Sequence, residues 1–131
     1  MKKLITLILL TTILTNIIAQ KKTKVEVLFF KADLSCCMKR ACDQLYSDIQ
    51  NVIKETYPQG NVILKEIKIS DPQNKQLVDK YKAINETVIV VANKKKKIFE
   101  NNVTQIVANY KKTKNTNNFK KEFCEIINKY L

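Results

Sequence analysis

The segment KVEVLFFKADLSCCMKRACD (Lys24 to Asp43) changes character at its midpoint, and that change decides how the chain is read. It opens with KVEVLFF, an unbroken β-branched and aromatic run of the kind that forms a short buried strand. It closes with three of the chain's four cysteines, Cys36, Cys37 and Cys42, placed within seven positions. From there apolar side chains recur every three or four residues: Met38, Cys42, Leu45, Ile49, Val52 and Thr56, with Ala41 and Ile53 beside the stripe. Lys39, Arg40, Asp43, Gln44, Ser47 and Asp48 fill the opposite side. The period predicts an amphipathic helix over Cys37 to Thr56 with one face on a core. Asp33 or Ser35 is placed to cap its start, and Pro58 and Gly60, the only glycine, mark the turn after it.

The same reading extends outward. NVILKEIKI (Asn61 to Ile69) is a strand. Asp71 is a plausible N-cap, Pro72 suits a first helical position, and Leu77, Val78 and Tyr81 give the short helix that follows its apolar side. TVIVVA (Thr87 to Ala92) is wholly apolar and reads as a central strand. NKKKK (Asn93 to Lys97) is a polar turn, and KIFEN (Lys97 to Asn101) a short edge strand paired as a hairpin. TQIVANY (Thr104 to Tyr110) suggests a turn or two of helix, KKTKNTNN a solvated loop. Phe119, Phe123, Ile126, Ile127 and Tyr130 mark an amphipathic C-terminal helix with Cys124 just off its stripe. The expected class is α/β, in the order β-α-β-α-β-β-α, with a central sheet and helices on both faces. The first three strands, joined through helices, are expected to pair in parallel.

A length of 131 residues bounds the chain to one domain. Residues 1–19 have the order of a secretory signal peptide: a cationic start at Lys2 and Lys3, an apolar run, and Ala19 before the cut. The run is shorter and more diluted by Thr and Asn than the roughly 20 strongly apolar residues a membrane-spanning helix needs. The folded domain is then residues 24–131, in a periplasmic or secreted location where disulfides persist, with no membrane attachment once the signal is removed. The formal charge of +12 becomes +10 when Lys2 and Lys3 are lost.

No histidine occurs anywhere. This excludes Ser-His-Asp and Cys-His catalysis and histidine-based zinc or copper sites. Lys94 to Lys97 form a four-lysine run without the interleaved aromatic side chains that stack bases, so no nucleic-acid partner is expected. The run reads as a solvated turn guarding a sheet edge. Asn85 and Asn102 each begin an Asn-x-Thr triplet, a short motif frequent by chance.

The element order, VEVLFF followed by Cys36 six residues after Phe30, and the hairpin TVIVVANKKKKIFE resemble the thioredoxin-like superfamily over nearly all of Lys24 to Leu131. The resemblance implies a redox cysteine at Cys36, where that family begins a Cys-x-x-Cys pair. It also implies a cis-proline facing the pair, just before the third strand. This chain departs from both. Lys39 stands where the second cysteine belongs, no proline occurs near Glu86, and the tryptophan common beside the motif is missing.

The thiols themselves leave several readings open. Cys36 or Cys37 at a helix N-terminus would be favoured as thiolate by unpaired N–H groups and the helix dipole, helped by Lys39 and Arg40 and opposed by Asp33. Cys36, expected just outside the helix, has room to curl toward Cys42, which would act as the resolving thiol. The alternative for Cys42 is a small buried apolar residue. Cys124 is either stapled to Cys42 or unpaired. The functional expectation is therefore thiol–disulfide exchange or redox sensing through Cys36, Cys37 and Cys42, acting on protein thiols or disulfides without a cofactor. The alternatives are a binding module that keeps the fold without catalysis, or soft-metal binding of Cu(I) by the cluster. A closed zinc site would need four ligands.

Overall fold

The structure, a computed structural model, describes residues 24–131; the signal-peptide expectation for residues 1–19 lies outside them. The first strand, β1 (Val25–Lys31), is followed by α1 (Cys36–Thr56) and β2 (Val62–Lys68). A single 3-10 turn, Pro72–Asn74, runs into α2 (Lys75–Tyr81). The hairpin β3 (Val88–Lys94) and β4 (Lys97–Asn102) then leads to α3 (Thr104–Thr113) and α4 (Thr116–Asn128). The sheet order is β2-β1-β3-β4. The apolar β1 and β3 occupy its middle, where both strand faces are covered.

The sheet separates two apolar layers. Val25, Val27 and Phe29 of β1 and Val88, Val90 and Ala92 of β3 face α1, α3 and α4, meeting Leu45, Ile49, Val107, Phe123 and Ile127. The alternate residues Leu28, Phe30 and Ile89 face the other way, onto Leu77, Val78 and Tyr81 of α2. Period-two alternation along each strand thus supplies both layers. The fold is thioredoxin-like α/β, with helices on both faces as the element order predicts.

Two expectations are corrected. Only β1 and β2 pair in parallel, Val25 with Val62 through Lys31 with Lys68. β3 runs antiparallel to β1, Val25 opposite Ala92 and Phe29 opposite Val88. The reason is the length of α2. Seven helical residues rise about 10 Å, enough to pass over β1 across two strand spacings of about 4.8 Å each. A seven-residue strand is about 23 Å long, so α2 cannot carry the chain back to the far end of the sheet. The second correction concerns the C-terminal region. Lys111 to Thr113 extend α3 and Thr116 to Asn118 open α4, so the expected loop shrinks to Lys114 and Asn115. Lys114 makes the turn in the left-handed region at φ 54°, and the Asn115 side chain caps α4 by accepting from the Asn118 N–H.

Candidate functional site at the junction of the first strand and helix

The chain leaves the sheet at Lys31 and enters α1 at Cys36. Lys31 fixes this exit. Its ammonium donates to Asp43, about two turns into α1, and to Glu66 of β2 at 3.3 Å. One side chain, only 17% exposed, thereby ties β1 to α1 and to β2. The hydrogen bond to Asp43 raises the Lys31 pKa; burial opposes this, and Glu66 adds to it. A shallow open cleft of about 220 Å³ lies outside this cluster, with Lys31, Lys39, Lys68, Asp33 and Glu66 on its walls.

The helix begins one residue earlier than its periodicity indicates, so Cys36 is inside the first turn. Ser35 stands at the N-cap position in extended conformation, but its hydroxyl makes no capping bond, and no acidic residue occupies the first turn. The Lys39 N–H makes the opening intrahelical bond, to the Ser35 carbonyl at 2.9 Å. The N–H groups of Cys36, Cys37 and Met38 therefore point out of the helix start without helical acceptors. All residues from Ser35 to Ala41 are exposed. Cys36 and Cys37 are exposed free thiols, and Met38 beside them is 57% exposed.

Cys42 is placed differently. It is fully buried against β1 and β3, and its thiol donates to Asn85 Oδ1 at 3.8 Å. Burial pushes its pKa up, and the carboxylate of Glu86 pushes the same way. Both effects hold Cys42 as a thiol rather than a thiolate. Six residues of continuous helix separate it from Cys36, about 9 Å of rise and about 240° of rotation. A disulfide needs Cα atoms within about 7 Å. Cys36 and Cys42 can meet only if the first turn unwinds, and for Cys37 and Cys42 the separation is still about 7.5 Å and 140°. The room for Cys36 to curl back, expected from the sequence, is taken up by helix.

The staple between Cys42 and Cys124 is not formed, and the helix axis explains why. Cys124 of α4 is buried beside Thr56, donating to its Oγ1 at 3.9 Å. Thr56 is the last residue of α1, fourteen positions and about 21 Å along the axis from Cys42. All four cysteines are free. Among the described residues no three Cys, Asp or Glu side chains converge as a metal site would require.

The loop before β3 completes the site and was not anticipated as part of it. Asn85 Oδ1 accepts from the Ala32 N–H at 2.9 Å as well as from Cys42. Glu86, at φ 65°, donates its N–H to the Phe30 carbonyl at 2.8 Å and holds Lys111 of α3 through both carboxylate oxygens. The peptide bonds here are trans, as they are throughout the described residues. Asn85 thus clamps the loop to the strand–helix junction where the resembling family has its proline. The same loop presents Ile84, 71% exposed, at the end of the sheet that carries the thiols. Asn85 is visible in the sequence only as part of a common triplet, and nothing there points to Ala32 or Cys42.

No family model matches the chain, and no curated protein matches it. Two solved structures are similar in part. One, described as a malarial protein, gives a TM-score of 0.41 at 21% identity over 60% of this chain and 79% of its own. The other, a thioredoxin from Thermus thermophilus, gives 0.42 at 12% identity over 59% of this chain and 58% of its own. Strand order and the two apolar layers define the fold.

Proposed function

We propose that this is an extracytoplasmic protein that exchanges thiols with protein disulfides through Cys36 and Cys37. The observation that carries the reading is a pair of exposed, adjacent thiols on an uncapped first helical turn that lacks any acidic residue. The thiolate form of either cysteine attacks a partner disulfide. The new S–S bond joins the two chains, the partner's own S–S bond breaks, and the departing partner sulfur leaves as thiolate and takes up a proton. Cys42 is buried, held protonated and out of reach, and a ring closed between Cys36 and Cys37 across one peptide bond is strained, so the mixed disulfide is released by a second thiol from outside the chain. The exposed Met38 and Ile84 offer apolar contact to a partner polypeptide at the same end of the sheet.

The test is the rate of exchange with a small disulfide-bonded protein. The reading requires the Cys36→Ser/Cys37→Ser double variant to lose the exchange. A rate unchanged from the parent protein would refute it. A second reading, a binding module without catalysis, is favoured by Lys39 at the second cysteine position and by Asn85–Glu86 where the family has proline. In that case partner capture persists when all four cysteines are replaced.

A further inference from the structure

The two Asn-x-Thr triplets differ in the exposure of their asparagine, while both threonine hydroxyls accept a backbone N–H, Thr87 from Ile84 and Thr104 from Val88, each at 3.0 Å. At Asn85 the amide oxygen is occupied by Ala32 and Cys42. Thr87 of that triplet is 5% exposed. Asn85 is half-buried, so a bulky group on its nitrogen has less room beside the strand–helix junction. Asn102, by contrast, is exposed at the last position of the outermost strand. Its Oδ1 accepts from the Thr104 N–H at 3.0 Å, forming a local turn at the start of α3. Its Nδ2 has no partner among the described residues and faces solvent.

The setting of Asn102 also suits a large hydrophilic group. The open side of β4 presents unpaired backbone groups, which invite strand addition from another chain. Ile98, Glu100 and Asn102 alternate onto one face of that strand, and Ile98 is 65% exposed. A polymer standing on Asn102 would shield both the edge and Ile98, and N-linked glycans are bulky and solubilising.

We propose that Asn102 is an N-glycan attachment site and that Asn85 is not. The proposal rests on the secretory reading of residues 1–19 and is independent of the thiol chemistry. The oligosaccharide comes from a lipid-diphosphate-linked donor. A bond forms between the first sugar carbon and Asn102 Nδ2, the bond from that carbon to the diphosphate oxygen breaks, the lipid diphosphate leaves, and the amide loses one proton. Attachment to the extended chain precedes folding, so the fold acts as a filter: a chain modified at Asn102 folds, and one modified at Asn85 has less room to close the loop.

The full chain is expressed in eukaryotic secretory cells, both with its own start and behind an added secretory leader. The secreted protein is expected to show a single-glycan shift that an N-glycan amidase removes and that Asn102→Gln abolishes. The amidase converts the acceptor Asn to Asp, so peptide mapping of the parent protein identifies the site without depending on the folding of any variant. Secreted protein unmodified at Asn102, or folded protein glycosylated at Asn85, overturns the proposal alone. Entry only with the added leader overturns the secretory reading and the proposal together.

Discussion

The Cys42 thiol and the Ala32 N–H converge on one oxygen, Oδ1 of Asn85, at 3.8 and 2.9 Å. The loop before β3, the exit from β1 and the second turn of α1 are locked by that single acceptor. Asn85→Ala leaves a buried thiol and a backbone N–H without a partner, at an expected cost of about 1–3 kcal/mol. Urea denaturation should show the loss, and Cys42 in the variant should react with alkylating reagent faster than in the parent. An unchanged midpoint with Cys42 still protected would show that Asn85 is not the clamp.

Lys31 gives a pH dependence with a definite sign. Asp43, and then Glu66, raise its pKa in the folded state. The folded protein therefore binds its proton more tightly than the unfolded chain, whose lysines titrate near 10.4. The resulting stabilisation is fully present below that value and is lost as pH rises through the folded-state pKa. In Lys31→Met the decline of stability above about pH 10 should be shallower than in the parent. Urea midpoints measured between neutral pH and the alkaline limb would show it.

The two-residue turn of the hairpin is built from residues that resist it. Lys95 and Lys96 lie at φ 51° and 65°, as a tight hairpin with two positive φ values demands, and asparagine and glycine are the favoured occupants. Lysine in the left-handed region costs roughly 1–2 kcal/mol, part of which glycine returns through its greater freedom when unfolded. Lys96→Gly should therefore stabilise the protein by about 0.5–1 kcal/mol, read as a higher thermal midpoint. A lower midpoint would count against the turn as described.

The C-terminal helix is held by an aromatic stack. Phe119 lies 4.7 Å from Tyr110 and 5.1 Å from Phe123, centroid to centroid, and Phe123 is fully buried. Phe123→Ala should cost about 3–5 kcal/mol, a large share of the 5–15 kcal/mol typical of a domain. Chemical denaturation checks this directly.

Much of the fold is legible in the sequence because apolar period reports which face of an element is buried. The four strands and α1 fall within a residue or two of the apolar runs that announce them, VEVLFF and TVIVVA above all. Period says nothing of height along an axis. Cys42 and Cys124 each lie on the buried side of a helix, on the same side of the sheet, and were open to pairing on that ground; they sit at opposite ends of α1. The direction of β3 depends on the reach of α2, a length and not a pattern. Lys31, Asp43 and Glu66 come from three elements that only the folded chain brings together. The period misleads at the first turn of α1, where it puts Met38 on the stripe with Cys42 and Leu45; the structure leaves Met38 57% exposed beside Cys36 and Cys37.

The most direct test of the account is the intact mass of the reduced protein after reaction with excess small-molecule disulfide under native conditions. With Cys42 out of reach and a ring between neighbouring Cys36 and Cys37 strained, the reagent should remain attached as a mixed disulfide at Cys36 or Cys37, with Cys42 and Cys124 unmodified. Loss of the adduct with formation of an internal bond from Cys36 or Cys37 to Cys42 would contradict the account, since it would mean that the first turn of α1 opens to deliver the thiol this structure keeps buried.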